Sequence, residues 1–165
     1  MKNIILIGMP AVGKSTIGVL LAKTLGFSFI DTDLIIQQNT GRLLQDIINA
    51  DGPDAFCAEE ELAIFSVACT ENTVIATGGS AVYSAKAMEH LKKNGIVYYL
   101  SLPTEELSKR LSNIKTRGIA MRPDETIEDV FRRRMPLYNK HADVTIDCLD
   151  KSPEDTISEI CEHHK

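Results

Sequence analysis

Residues 8–16 read Gly-Met-Pro-Ala-Val-Gly-Lys-Ser-Thr, and they follow directly on the apolar run Asn3-Ile4-Ile5-Leu6-Ile7. The stretch fits G-x-x-x-x-G-K-[ST] at Gly8, Gly13, Lys14 and Ser15. The run before it is continuously apolar, which predicts a strand buried on both faces over 3–8. After it, Ile17, Leu20, Leu21 and Leu25 form a helical stripe from Lys14 to Leu25, and Gly26 is a good stop. A strand, a glycine-rich turn and a helix in that order make an anion cradle. Glycines let successive backbone N–H groups point inward, and the helix adds the positive end of its dipole. Lys14 can reach β and γ phosphates, and Ser15 can offer its hydroxyl to Mg²⁺. The opening of the chain therefore predicts a site for a nucleotide's phosphates.

The same alternation continues. Strands are expected at "FSFID" (27–31), "TVIAT" (73–77), "IVYYLSL" (96–102) and "DVTIDC" (143–148). Between them come two short helices over Asp33 to Ala50, broken near Thr40-Gly41, and helices over about Asp54 to Cys69 and Ser84 to Lys93. Thr104 and Thr126 look like N-caps of two further helices, the second running to about Lys140, and Pro153 opens a last one. Residues 112–125 have weak periodicity and read as a loop. Five strand–helix alternations imply an α/β fold, a parallel sheet covered on both faces. Ligands in such sheets sit beyond the carboxyl ends of the strands, where the unusual residues of this chain occur.

Composition narrows the function. Net charge is −5, which argues against a nucleic-acid partner but not against a small anion in a locally positive pocket. No apolar run approaches the ~20 residues of a membrane span, and no signal-peptide pattern opens the chain. The four cysteines lack metal-ligand spacing and are expected to be reduced thiols. A cytoplasmic monomer is the expectation, with His163-His164 as a solvated tail. A guanine-reading Asn-Lys-x-Asp is missing, since "NKHA" (139–142) lacks the aspartate. A small phosphate-binding domain with cations in a late loop points to a metabolite kinase.

The chain resembles the shikimate kinases, within the P-loop small-molecule kinases that include gluconate kinase and the nucleoside monophosphate kinases. The matching pieces are "GMPAVGKSTIG" (8–18), "FIDTD" (29–33), "TGRLLQDI" (40–47), "GPDAF" (52–56), "VIATGGSAV" (74–82), "RP" (122–123) and "RRMPLY" (133–138). The resemblance implies a three-layer αβα P-loop kinase domain over 1–165, with a five-stranded parallel sheet, a mobile lid at about 112–125 and an acceptor-binding helical region at about 33–61. It implies ATP and Mg²⁺, with Gly8, Ala11, Val12, Gly13, Lys14, Ser15 and Thr16 around the nucleotide. Asp31 matches the aspartate that helps Ser15 hold the metal. Asp33 matches the one that contacts substrate hydroxyls and orients or deprotonates the nucleophile; taken alone it also reads as a helix N-cap. Gly78 and Gly79 match the substrate loop, Arg122 the lid arginine over the phosphates, and Arg134 an arginine that grips the substrate carboxylate. Lys115 or Arg117 lies where the family often places an arginine against adenine, and the sequence does not choose between them.

Three departures fall in the acceptor half. The family has an arginine after the phenylalanine where this chain has Cys57, and a third glycine where it has Ser80. Arg122-Pro123 runs into "DETIEDV" in place of a longer apolar lid segment. Losing a charge-assisted hydrogen bond costs about 1.5–3 kcal/mol. Glu60 matches a family glutamate that neighbours the missing arginine, so a substrate ammonium is a possible replacement partner. The expected reaction is transfer of the γ-phosphoryl group of ATP to a hydroxyl of a small carboxylate, foremost shikimate to shikimate 3-phosphate. A homoserine-type amino-acid kinase, a non-catalytic nucleotide-binding regulator and a nucleoside monophosphate kinase are the alternatives.

Overall fold

The computed structural model describes residues 2–67, 71–112 and 118–165. In chain order they form β1 (Asn3–Ile7), α1 (Lys14–Leu25), β2 (Ser28–Asp31), α2 (Thr32–Thr40), α3 (Leu44–Asp51), α4 (Pro53–Ser66) and β3 (Thr73–Ala76). A single 3-10 turn follows (Ala81–Tyr83), then α5 (Ala85–Lys92), β4 (Gly95–Ser101), α6 (Thr104–Ser112), α7 (Ile127–His141), β5 (Val144–Asp147) and α8 (Pro153–His163).

The strands make one parallel sheet in the order β2-β3-β1-β4-β5. The apolar run of β1 is at its centre, with Ile5 between Ile75 and Val97 in register. Helices cover both faces, so all of Ile4 to Ile7 is buried, as a continuously apolar strand requires. Every strand points its carboxyl end at the same edge. The turns after β1, β2 and β3 therefore converge there.

A second, smaller core lies off that edge. Ile36, Ile47, Ile48, Phe56 and Ala63 pack together beneath α2, α3 and α4, with Ala120 closing over them. This cluster holds the helical region of residues 33–61 against one side of the site. α7 is anchored by a capping box at Thr126 and Asp129.

Three local expectations change. α6 begins at Thr104 itself, and the Pro103 carbonyl accepts from the N–H groups of Glu106 and Leu107; proline with its fixed φ starts the turn, so Thr104 does not precede it. α4 ends at Ser66, and Cys69 lies outside the described residues. His164 is no solvated tail. It is 7% exposed, with Nδ1 3.1 Å from the Tyr98 hydroxyl and Nε2 3.0 Å from the Lys2 carbonyl, and it meets Phe27 edge-on. The packing of α8 on the sheet carries the ring to β4, which a local reading of the last residues cannot register. No helix among the described residues is long and apolar enough to cross a membrane.

Candidate active site

The turn after β1 curls as its motif predicts. Ala11 and Gly13 both have left-handed φ, 72° and 106°. Gly8 (φ 148°) passes so close to β4 that a Cβ there would lie 2.6 Å from the Leu100 carbonyl oxygen, so only glycine fits. Lys14 opens α1 but is just 8% exposed, because its Nζ folds back to donate to the Gly8 and Met9 carbonyls at 2.7 and 2.9 Å. The Lys14 ammonium thus sits over the cradle. Arg110, on α6, holds the loop from outside by donating from Nη1 to the carbonyls of Ala11 and Val12, both at 3.2 Å. Nothing in "EELSKRL" distinguishes that arginine from a solvated helix face, so the sequence alone does not mark it.

Ser15 and Asp31 meet across this end of the cavity. The Ser15 hydroxyl donates to Asp31 Oδ2 at 2.7 Å. Asp31 Oδ1 accepts from the Asp33 N–H at 2.9 Å and so caps α2. The cap is thus Asp31, not Asp33. That leaves the Asp33 side chain on the cavity wall, where a Cβ on Gly78 would come within 2.9 Å of its Oδ1. A hydroxyl and a carboxylate side by side form an oxygen-only donor pair, which suits a hard cation such as Mg²⁺.

The other end of the cavity is built from the turn after β3. The Gly78 N–H donates to Thr32 Oγ1 at 3.2 Å, tying that turn to the start of α2. Glu60 packs against Gly78 so closely that any Cβ there would overlap its carboxyl group. At Gly79 a Cβ would lie 2.7 Å from Arg134 Nη1 and 2.8 Å from Pro10 Cδ. The Tyr138 hydroxyl donates to the Gly79 carbonyl at 2.6 Å, and its ring stacks on Tyr99 at 5.0 Å. Arg134, from the run Arg132-Arg133-Arg134, is 1% exposed, while its two neighbours lie at the surface. It donates to the Tyr83 hydroxyl at 3.3 Å and the Ala120 carbonyl at 3.0 Å. No carboxylate among the described residues lies within ion-pair distance of it.

These groups surround one cavity of about 750 Å³. Ala11, Gly13, Lys14, Ser15, Thr16, Asp31, Asp33, Gly78, Gly79 and Arg134 all line it. Gly8 and Val12 shape the loop from behind. Two expected residues are placed differently. Glu60 does not line the cavity: it is 1% exposed behind Gly78 and Ser80, because α4 packs against that turn. Arg122 is exposed and lines a separate outer groove with Pro53, Met121 and Pro123. Its N–H is held by Glu125 Oε2 at 2.9 Å, and Glu125 is ion-paired to Arg133. Lys115 and Arg117 lie outside the described residues.

Glu60 is strongly perturbed. Burial raises its carboxyl to about 7, the Asp33 charge adds to this, and the Ser80 hydrogen bond, Arg134 and Lys14 oppose it. Burial also raises the Cys57 thiol, as expected for desolvated acids.

A turn with the geometry of a phosphate cradle and its lysine, an oxygen-only pair and a buried guanidinium thus line one cavity. Residues 10–165 match the family described as shikimate kinase. The chain belongs to the shikimate kinase family. It is 36% identical over 167 residues to the shikimate kinase of Thermodesulfovibrio yellowstonii, covering 100% of this chain and 96% of that one. A relative from Caldanaerobacter subterraneus, also named shikimate kinase, is 35% identical over 162 residues, covering 97% and 94%. Among solved structures, shikimate kinase from Acinetobacter baumannii in complex with shikimate superposes with a TM-score of 0.90 at 31% identity, covering 99% of this chain and 93% of that one. The Aquifex aeolicus enzyme gives 0.81 at 31% identity, covering 97% and 94%. The chain is thus a P-loop α/β kinase of this family, and the departures at Cys57 and Ser80 occur within it.

Proposed function

We propose that the chain transfers the γ-phosphoryl group of ATP to a hydroxyl of shikimate, giving shikimate 3-phosphate. The observation that carries the reading is the buried Arg134 guanidinium, which has no carboxylate partner among the described residues and lines the same cavity as Lys14. A desolvated guanidinium is costly unless a ligand supplies the countercharge, and an acceptor carboxylate does so. The relative solved with shikimate supports that choice of acceptor.

Phosphoryl transfer asks for positioning and electrostatic stabilisation. The N–H groups of residues 11–16 and the dipole of α1 hold the triphosphate. Lys14 lets go of the Gly8 and Met9 carbonyls to meet the β and γ phosphates. Ser15 and Asp31 would hold Mg²⁺, which would supply charge to neutralise the phosphates. Asp33 takes a hydrogen bond from the attacking hydroxyl and orients it, and Gly78 and Gly79 allow the acceptor close to the backbone. Excluding water from the loaded site keeps the γ-phosphoryl group from hydrolysis. The exposed position of Arg122 means that a role over the phosphates requires that side chain to move.

Glu60 behind the wall removes the main support for an acceptor ammonium, and with it the homoserine reading. The test is a coupled assay with ATP, Mg²⁺ and shikimate, homoserine or AMP in turn. Turnover of shikimate alone is expected. Phosphorylation of homoserine or AMP in its place, or ATP consumption indifferent to every acceptor, would refute the proposal.

A further inference from the structure

Behind the acceptor compartment lies a side-chain pair that the mechanism above does not use. Ser80 lines the cavity directly after Gly79, and so stands next to the position where Arg134 Nη1 approaches the wall. Its hydroxyl is hydrogen-bonded to Glu60 Oε2. Glu60 Oε1 is buried with no hydrogen-bond partner among the described residues, and no cation there is within ion-pair distance of either oxygen. The groups that act on Glu60 are Asp33 from α2, Cys57 from its own helix, Lys14 from α1, and Arg134 and Tyr138 from α7. This is a carboxyl group whose one described hydrogen bond runs to a residue at the cavity surface.

We propose that Ser80 is a specificity-determining residue that donates its hydroxyl to the acceptor's carboxylate beside Arg134, with Glu60 behind it as the positioning residue whose proton sets the direction of that hydrogen bond. The inference rests on the function proposed above. While Glu60 is ionised it can only accept, so the Ser80 O–H points away from the cavity. Once Glu60 is protonated it donates to Ser80 Oγ, and the Ser80 hydrogen is released toward the ligand. Charge favours this order. The Asp33 charge already disfavours ionised Glu60; an acceptor carboxylate adds a further negative charge to the same cavity, and one proton taken from solvent by Glu60 offsets it. Burial and the Asp33 charge already bring Glu60 to about 7, so that uptake falls in the neutral range. No bond other than hydrogen bonds is made or broken.

The experiment compares wild type, Ser80→Ala, Ser80→Gly and Glu60→Gln, with the KM of shikimate and of ATP measured from pH 6 to 8.5. Binding of shikimate alone is followed by calorimetry in two buffers of different ionisation heat. In wild type the shikimate KM is expected to rise about tenfold per pH unit above neutrality, and shikimate binding is expected to take up a proton fraction at pH 7.5. Both Ser80 variants should raise the shikimate KM about 10- to 100-fold at pH 6.5, flatten its pH dependence and leave the ATP KM within about twofold. Glu60→Gln should keep the low KM at every pH without proton uptake, because its amide is neutral at every pH and its NH2 group can donate to Ser80 Oγ. Wild-type KM and pH slope in a Ser80 variant that binds ATP would overturn the inference alone, as would persistent proton uptake in Glu60→Gln. Failure of wild type to turn over shikimate would take down this inference together with the proposed function.

Discussion

Replacing Arg134 by methionine should separate stability from binding. The side chain loses donated hydrogen bonds to the Tyr83 hydroxyl and the Ala120 carbonyl. Each contributes about 0.5–1.5 kcal/mol, up to about 3 for a charged donor. Against this, a guanidinium that is 1% exposed and lacks an ion-pair partner among the described residues is released from the interior. That desolvation is of the order of several kcal/mol, and methionine has the length and flexibility to refill the space. The two effects oppose each other, so the Tm should hold or rise, by about 2–4 °C for each kcal/mol gained. Acceptor binding should collapse. Truncating one partner of a buried charge pair costs about 2–5 kcal/mol, or roughly 30- to 4,000-fold in KM. Shikimate at about 100 times its Kd should stabilise wild type by about 2.7 kcal/mol, and the variant not at all. Calorimetric melting with and without shikimate, beside steady-state kinetics, checks both parts. A Tm more than about 10 °C lower would refute the desolvation argument, and an unchanged shikimate KM would refute the role of Arg134.

Lys14→Met should lower kcat by about 10²–10³, the scale of one preorganised charge at the reacting centre, with folding intact by circular dichroism. Asp31→Asn should raise the Mg²⁺ concentration needed for half-maximal rate, while Ser15→Ala should do so without disturbing the cap of α2; equal Mg²⁺ dependence in all three proteins would count against that pair. Tyr138→Phe leaves the Gly79 carbonyl without its 2.6 Å hydrogen bond, a loss of about 1–3 kcal/mol that should appear as a Tm about 2–12 °C lower. Arg122→Ala should change kcat less than Lys14→Met does, because Arg122 lines the outer groove; the reverse order would return the lid role to Arg122. Burial depresses the His164 imidazole below its ordinary value of 6.5, with the nearby amino terminus adding and the Lys2 carbonyl opposing. A base depressed by folding is protonated more readily when unfolded, so its contribution is complete above about pH 6.5 and declines as the pH falls below it. The Tm gap between wild type and His164→Gln should therefore narrow on acidification, and a gap constant from pH 7.5 to 5.5 would contradict this.

The nucleotide half of the site was legible in the sequence because its parts are neighbours in the chain. Gly8 to Thr16 set their own backbone course, and the alternation of apolar runs with helical stripes dictated a parallel sheet whose strand ends gather the loops. Asp31, Asp33, Gly78 and Gly79 stood out through the family resemblance, and each lies where a strand ends. Periodicity reports which face of an element is buried, but not what that face meets. Thus Arg134 and Arg133 look alike in "RRR", and only the packing of α7 buries one against Gly79 while leaving the other to Glu125. The same limit hid Arg110 against the phosphate loop, Ser80 against Glu60 and His164 against Tyr98, separated by 98, 20 and 66 residues. Local chemistry determined the fold class, the course of the turn after β1 and the cap of α7. Tertiary packing alone decided which charges lost their water, because desolvation depends on neighbours that the chain brings together only when it folds.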